Sequence, residues 1–478
     1  MKNKYIRTIL SVLAVGVVLA GCSDKASKNV TAETDTGETT SDVMTDNGAS
    51  DGILNDSVIE IEDDGDDTAS NIVFEEEEDS GDVQQTADTG ISFTGKPENN
   101  GAHFVKLDDR VFFRVPDKEG LDVAGLFGEY MDTESGPTKL VSHDTKTGET
   151  KEVFDDHGYR GIFIKGSTMY LNEWDNSGDS PIDRLGIYDM NSDFAAKYSA
   201  GEMVMKGAAD GSVVVTGYYD GDKDGYMLHA YLEDGQEYDV DESHVMECIA
   251  CDKNRLYYTT FDFETGDHKL FEYDYSSRTS TELGDIPSDA NEGGTGDPGE
   301  VKDAVCDDGG VYFSQHYYQG TGHFISSVFY VTARAGEKGS LKSEEADVNF
   351  EEEDDNAPFV VLEEGKIDKD VDGIPFGASY AKGDVLVWYD NEGKAHEVPE
   401  NESRKLSMKR YETDDDGNMV SEVECIEYVD GILYGIYNEL ERSEADDIGW
   451  RMAYRRTKTS VFSVDVNSGE EKILYTVE

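Results

Sequence analysis

Two short stretches of the 478-residue chain read Asp-x-Asp-x-Asp-Gly: Asp220, Asp222 and Asp224 before Gly225, and Asp368, Asp370 and Asp372 before Gly373. Alternating carboxylates ahead of a tight glycine turn can converge on a hard divalent cation, and calcium loops open this way. Calcium is therefore the cofactor these residues suggest. Both stretches lack a closing ligand, since the twelfth position is Tyr231 in one and Ser379 in the other. The ninth positions, Leu228 and Phe376, are also apolar. Solvated turns between strands are the competing reading, because a chain with 105 acidic residues produces such runs by composition. Cys248-Ile-Ala-Cys251 has the spacing of redox and zinc sites. Zinc requires four ligands, and no second such pair or suitably placed histidine pair accompanies it. Its surroundings read as a strand rather than a helix start, so core packing is expected, with a disulfide among Cys248, Cys251, Cys306 and Cys425 as the alternative. No nucleophile elbow, zinc-protease helix or phosphate-binding glycine loop occurs. Catalytic carboxylates cannot be singled out, and the catalytic assignment is none. The nine histidines are scattered. The pairs Tyr218-Tyr219, Tyr257-Tyr258 and Tyr317-Tyr318 could stack on sugars, although packing between sheets accounts for them as well.

The clearest chemistry lies at the N-terminus. Lys2, Lys4 and Arg7 precede an apolar stretch from Ile9 to Ala20, interrupted only by Ser11 and Gly16. That stretch is shorter than the ~20 residues a bilayer span requires and is built like a secretory signal. It ends in Leu19-Ala20-Gly21-Cys22. This tetrapeptide closely resembles the lipobox of bacterial lipoproteins. The resemblance implies cleavage between Gly21 and Cys22 and a diacylglyceryl thioether on the Cys22 sulfur. A plain signal peptide with an incidental cysteine, or an uncleaved anchor, is the alternative. Two or three acyl chains would anchor the protein stably at about 0.8 kcal/mol per buried methylene. The expected location is the extracytoplasmic face of a cell membrane.

Residues 23–90 hold 21 Asp/Glu and two Lys. Apolar residues appear there only in short pieces, such as Ile72-Val73-Phe74. Such a segment cannot bury enough surface to offset chain entropy, and its like charges stretch it. A disordered acidic stalk is expected, with a cation-binding or docking tail around Glu75–Asp79 as the alternative. The organisation is thus a signal over 1–21, a lipidated acidic linker over 22–94 and a folded body over 95–478.

The body is a repeat. Leu140-Val-Ser-His-Asp144-Thr-Lys-Thr-Gly148 recurs as Leu185–Ser192, Leu270–Ser277 and Val461–Gly469. Each reads as strand, aspartate turn, strand, because the aspartate carboxylate bonds nearby amides. A second element precedes each copy as a turn and an aromatic strand, as in Asp109–Phe113, Cys251–Tyr258 and Cys306–Phe313. Strand ends at Asp144, Asp189, Leu232, Asp274, Thr332, Asp390 and Asp465 are spaced by 45, 43, 42, 58, 58 and 75 residues. The first gaps match a four-stranded propeller blade of about 40–50 residues. An all-β propeller of about seven blades follows, with six or eight as alternatives and the weakest ground between Phe359 and Glu424. Trp-Asp, kelch and Asp-box signatures are absent. The hairpins are similar to those of uncharacterised propeller lipoproteins of low-GC Gram-positive bacteria, a resemblance that implies the fold and no activity.

With 41 basic against 105 acidic residues, the formal charge is −64. Binding to phosphate backbones needs a basic surplus, so nucleic acid is excluded as a partner. The leading reading is a monomeric binding or scaffold module for a protein or glycan ligand, held at the membrane by Cys22. A cell-surface carbohydrate-active enzyme with axial carboxylates is the rival, and an assembly factor between two membranes is a third reading. An axial pocket with paired carboxylates and aromatic walls would favour the enzyme. A plugged axis would favour binding.

Overall fold

The structure is a computed structural model that describes residues 92–121, 124–127, 136–158, 161–175, 182–240, 242–263, 265–287, 300–307, 310–318, 325–346, 379–382, 385–389, 395–409, 411–447 and 452–478. Gly21, Cys22, the acidic linker and Asp368, Asp370 and Asp372 lie outside them.

The chain is an all-β propeller, and its described strands form seven successive antiparallel sheets. Blade I holds β1 (Val105–Leu107), β2 (Arg110–Pro116), β4 (Pro137–Asp144) and β5 (Thr150–His157). Between β2 and β4 it carries helix α1 (Lys118–Leu121) and strand β3 (Ala124–Phe127). Blade II is β6 (Ile162–Lys165), β7 (Thr168–Asp175), β8 (Ile182–Asp189) and β9 (Ala195–Ala200). Blade III is β10 (Met203–Gly207), β11 (Val213–Asp220), β12 (Gly225–Leu232) and β13 (Glu237–Val240). Blade IV is β14 (Val245–Cys251), β15 (Arg255–Phe261), β16 (His268–Asp274) and β17 (Thr279–Asp285). Blade V is β18 (Glu300–Asp307), β19 (Gly310–Tyr318), β20 (Ile325–Arg334) and β21 (Lys342–Ala346). Blade VI shows β22 (Ser379–Lys382), β23 (Val385–Tyr389) and β24 (Ala395–Glu397). Blade VII contains β25 (Tyr411–Thr413), β26 (Met419–Val429), β27 (Ile432–Arg442), β28 (Met452–Asp465) and β29 (Glu471–Val477).

The strands lack the simple in–out alternation of a sheet with one wet face, because each blade is covered on both sides. In β15 the residues Leu256, Tyr257, Tyr258 and Thr259 are all buried. Leu256 and Tyr258 pack into the cluster shared with blade III, whereas Tyr257 packs into the one shared with blade V. Similar clusters join blades I and II, II and III, and VI and VII. Another joins VII back to I through Phe104, Val111, Phe113, Tyr434, Ile436 and Val461. The first strands β6, β10, β14 and β18 lie against one another in turn, which puts them at the axis.

The aspartate turns form as the sequence predicts. Asp144 Oδ1 accepts from the amides of Lys146 (3.0 Å) and Thr147 (2.8 Å), and Asp465 Oδ1 from those of Asn467 (3.0 Å) and Ser468 (2.8 Å). Asp189 and Asp274 close their turns in the same way. Gly469 follows with φ +69°, and an added Cβ would collide with the Pro399 carbonyl. Asp390 lies outside the described residues. The body starts earlier than residue 95, since Phe93 is buried against Phe112.

Hydrogen bonds from the Ser468 and Asn467 amides hold the Asp465 carboxyl below its ordinary value, and Ser276 and Ser277 do the same for Asp274. Their stabilisation is present above the ordinary carboxylate pKa of about 3.9 and is lost as pH falls through the lower folded values. In urea unfolding at pH 7, Asp465→Ala is expected to lose about 1 kcal/mol and Asp465→Asn, which keeps an acceptor, less. Equal losses for the two variants would show that the turn bond is not what the aspartate contributes.

Candidate functional site

Strand direction sorts the connections onto two faces. Links from first to second and from third to fourth strands share one face, and among the described blades they contain two to seven residues. Links from second to third strands, and from one blade to the next, leave from the other face; β2 and β4 are separated by 20 residues there, and residues 347–378 between β21 and β22 lie outside the described residues. Loops positioned by a rigid sheet scaffold are where binding residues concentrate.

On that longer-loop face a cavity of about 210 Å³ opens between blades III and IV. Glu242, Ser243 and His244 from the connection between blades line one side, and Tyr258, Thr260 and Phe271 form the wall. Asp262, Asp267 and Lys269 complete it. Tyr258 and Phe271 stack with centroids 5.4 Å apart, and the Tyr258 hydroxyl donates to Ser280 Oγ at 2.9 Å. Lys269 Nζ lies 3.8 Å from Glu282, toward the outer strand. Phe263, beside the cavity, is an exposed aromatic packed edge-on to Phe261.

The loop holding Asp220, Asp222 and Asp224 lies next to this cavity. Asp220 Oδ1 accepts from the Asp222 amide (2.9 Å), and Asp224 Oδ1 from the Tyr219 hydroxyl (2.8 Å). His244 N donates to Lys223 O at 3.0 Å, and His244 Nδ1 stands 3.9 Å from Asp224. A Cβ on Gly225 would come within 2.5 Å of Val245 N. The glycine therefore serves the close approach of this hairpin to the His244 segment. Among the described residues, no three His, Cys, Asp or Glu side chains stand together as a metal site.

The CxxC pair lies in β14, with Cys248 and Cys251 buried, and Cys306 in β18 half-buried nearby. Burial pushes all three thiols well above their ordinary range, which suppresses the thiolate needed for redox or metal chemistry. Tyr257 and Tyr258 are fully buried and face opposite neighbouring blades; Tyr257 packs toward blade V, and Tyr258 backs the cavity wall.

Buried charges cluster between blades I and II. Arg114 pairs with Asp156, and both are buried. Glu173 accepts from Arg184 Nε (3.1 Å) and an Arg184 terminal nitrogen (2.7 Å), and from the Tyr188 hydroxyl. Desolvation, with Asp156 nearby, raises the Glu173 carboxyl. The Glu173 carboxylate is thus satisfied, whereas Arg114 Nε is buried without a hydrogen-bond partner among the described residues. A Cβ on Gly186 would strike the Glu173 carboxylate, so the glycine makes room for it.

Sequence reasoning missed the axis. Asn100 Nδ2 donates to Ile164 O (3.1 Å) and Ala208 O (2.8 Å), and Ile164 N donates to Asn100 Oδ1 (2.6 Å). Gly101 N donates to Ile162 O at 2.8 Å, and Ile162 N to Ala102 O at 3.1 Å. The N-terminal segment thus lies on the first strand of blade II and reaches blade III. The run Glu98-Asn-Asn-Gly101 just before β1 was the available signal.

No protein-family model and no curated protein matches the chain. A prolyl endopeptidase structure is similar over 80% of this chain at 10% identity and TM-score 0.40, and the match spans half of that enzyme's length. The β-propeller domain of the Trilobed protease from Pyrococcus furiosus is similar over 77% of this chain and 78% of its own, at 12% identity and TM-score 0.31. An uncharacterized protein from Listeria monocytogenes is similar over 80% of this chain and 97% of its own, at 10% identity and TM-score 0.36. These likenesses concern the fold and transfer no activity.

His268 borders the loop-bearing face, buried, edge-on to Phe261 and 3.4 Å from Gln315 of blade V. Desolvation pushes its pKa down to about 4. The folded state therefore favours the neutral ring. That preference stabilises fully above the ordinary pKa of about 6.5 and is lost as pH falls toward 4, a change of about 3 kcal/mol. Unfolding free energy is expected to drop between pH 7 and 4.5, and His268→Gln to flatten that slope. Parallel slopes for both proteins would place the titrating group elsewhere.

Proposed function

We propose that this chain is a lipoprotein held through Cys22 on the extracytoplasmic face of a membrane. Its propeller acts as a binding or scaffold module that offers its loop-bearing face to a protein or glycan partner. The N-terminal segment bonded along the axial strand of blade II supports the binding reading most. Propeller enzymes of the rival class would need an open axial pocket with facing carboxylates. Here the chain's own Asn100, Gly101 and Ala102 bond β6, the first strand of blade II that would line it.

The route of the N-terminal segment supports the orientation. Phe93 N donates to Asn191, Thr94 N to Asp108 and Lys96 to Asp210. All three acceptors sit in the short connections of blades II, I and III. A tether arriving there leaves the longer loops and the cavity between blades III and IV facing away from its anchor. The lipidation reading rests on Leu19-Ala20-Gly21-Cys22 and the charged, apolar stretch before it.

Cys22→Ser is expected to abolish lipid labelling and move the protein from the membrane to the soluble fraction of cells, as read by fractionation. A photo-crosslinking residue at Phe263 in the native envelope is expected to capture a partner that the same residue at Lys146, in a short turn, does not. Equal capture from both faces would sink the assignment of the working face. Release of a cleaved glycan by the purified body would replace binding with hydrolysis.

A further inference from the structure

The ring shares one strand at its seam: β3, which lies between β2 and β4 in the chain, pairs with β28 of blade VII. β1 and β2 of blade I come from the start of the body, and β26 to β29 of blade VII all come from its end. Beside that pairing, a thirteen-residue segment before β1 reaches four blades. Its contacts with blade VII converge on one carboxylate. Glu427 of β26 accepts from the His103 amide (3.1 Å), the Phe104 amide (2.9 Å), Asn99 Nδ2 (2.9 Å) and His103 Nδ1 (2.8 Å). Lys106 Nζ bridges Glu98 and Asp430, each at 2.7 Å, and Phe104 stacks on Tyr434 at 5.6 Å. On its other side the segment holds blades II and III through Asn100, Gly101, Lys96 and Pro97, the last pressed against Gly211. Several charge-assisted bonds to one half-buried carboxylate form a strong, directional joint.

We propose that residues 92–104 are a ring-closing clasp, an intramolecular ligand that fills the inner side of blades I, II, III and VII and locks the seam between the first and last blades. The clasp is continuous with the stalk, so the body is joined to whatever precedes it at this seam. Tension on the stalk then acts on the closure first. The inference stands on contacts within the body and is independent of whether Cys22 carries lipid.

Hydrogen exchange on the full chain, with and without an internal deletion of residues 92–104, tests it. Amides of β1, β26 and β29 are expected to exchange at least about tenfold faster in the deletion, while those of β15 and β16 in blade IV keep their protection. A synthetic peptide of residues 92–104 is expected to restore the protection when added in trans. Unchanged protection of the seam would overturn the proposal, since the pairing of β3 with β28 and the apolar cluster would then suffice. Should the deletion fail to fold, Glu427→Ala in the full chain decides: selective loosening of the seam supports the clasp, and unaltered exchange refutes it.

Discussion

Closure of the ring is the constraint on which the rest of the structure depends. Each blade is a sheet with two apolar faces, so a missing neighbour on either side would leave a wall such as Val111, Phe113 and Val141 in water. Exposing one such side chain costs about 2 kcal/mol. Six of the junctions can form between blades adjacent in sequence, but the seventh must join segments more than 300 residues apart. Two devices make that joint. On the short-turn side Glu427 gathers the segment around Asn99 and Phe104. On the loop side β3, carried by blade I, pairs antiparallel with the start of β28 from Met452 to Arg455. The second device explains why β27 and β28 extend past an ordinary blade length: they need the extra residues to meet β3.

The two faces differ in the lengths of their connections. A short link must reverse the chain within a few residues, and a side chain that bonds its own backbone does this best. Asp144, Asp189, Asp274 and Asp465 all serve this purpose. Asp220 and Asp262 turn the chain in the same way on the opposite face, where the connections vary more in length from blade to blade. Function can collect there without disturbing closure. Turn aspartates are structural, Asp262 among them, and Glu242 and Asp267 line the cavity beside it.

The fold was legible in the sequence where its determinants are local. An aspartate turn announces itself within four residues, and the alternation of turn and aromatic strand repeats at blade spacing. The structural part of the Asp220–Gly225 run was illegible, because its glycine closes against Val245, twenty residues away. The cavity was illegible because Glu242 and His244 lie on one connection and Asp262 and Asp267 on another. The clasp was illegible because its key acceptor, Glu427, lies 328 residues beyond Asn99. Only a charged residue between Ile426 and Tyr428, within a strand that otherwise packs, marks it in sequence.

The clasp also changes what the axis can be used for. In a ring closed by strand exchange, the central channel is left to the first strands and whatever ligand enters it. Here Asn100 satisfies both the amide and the carbonyl of Ile164, and Gly101 and Ala102 pair with Ile162. Those backbone groups face the axis, and without a partner each would carry the cost of a buried unsatisfied donor or acceptor. The chain therefore gains closure and backbone satisfaction from the same thirteen residues. The inner side of those blades is thereby taken up by the chain itself, and recognition shifts outward. A cleft between two blades, built from connections that closure leaves free, is the place where such a propeller can acquire a ligand without loosening its ring.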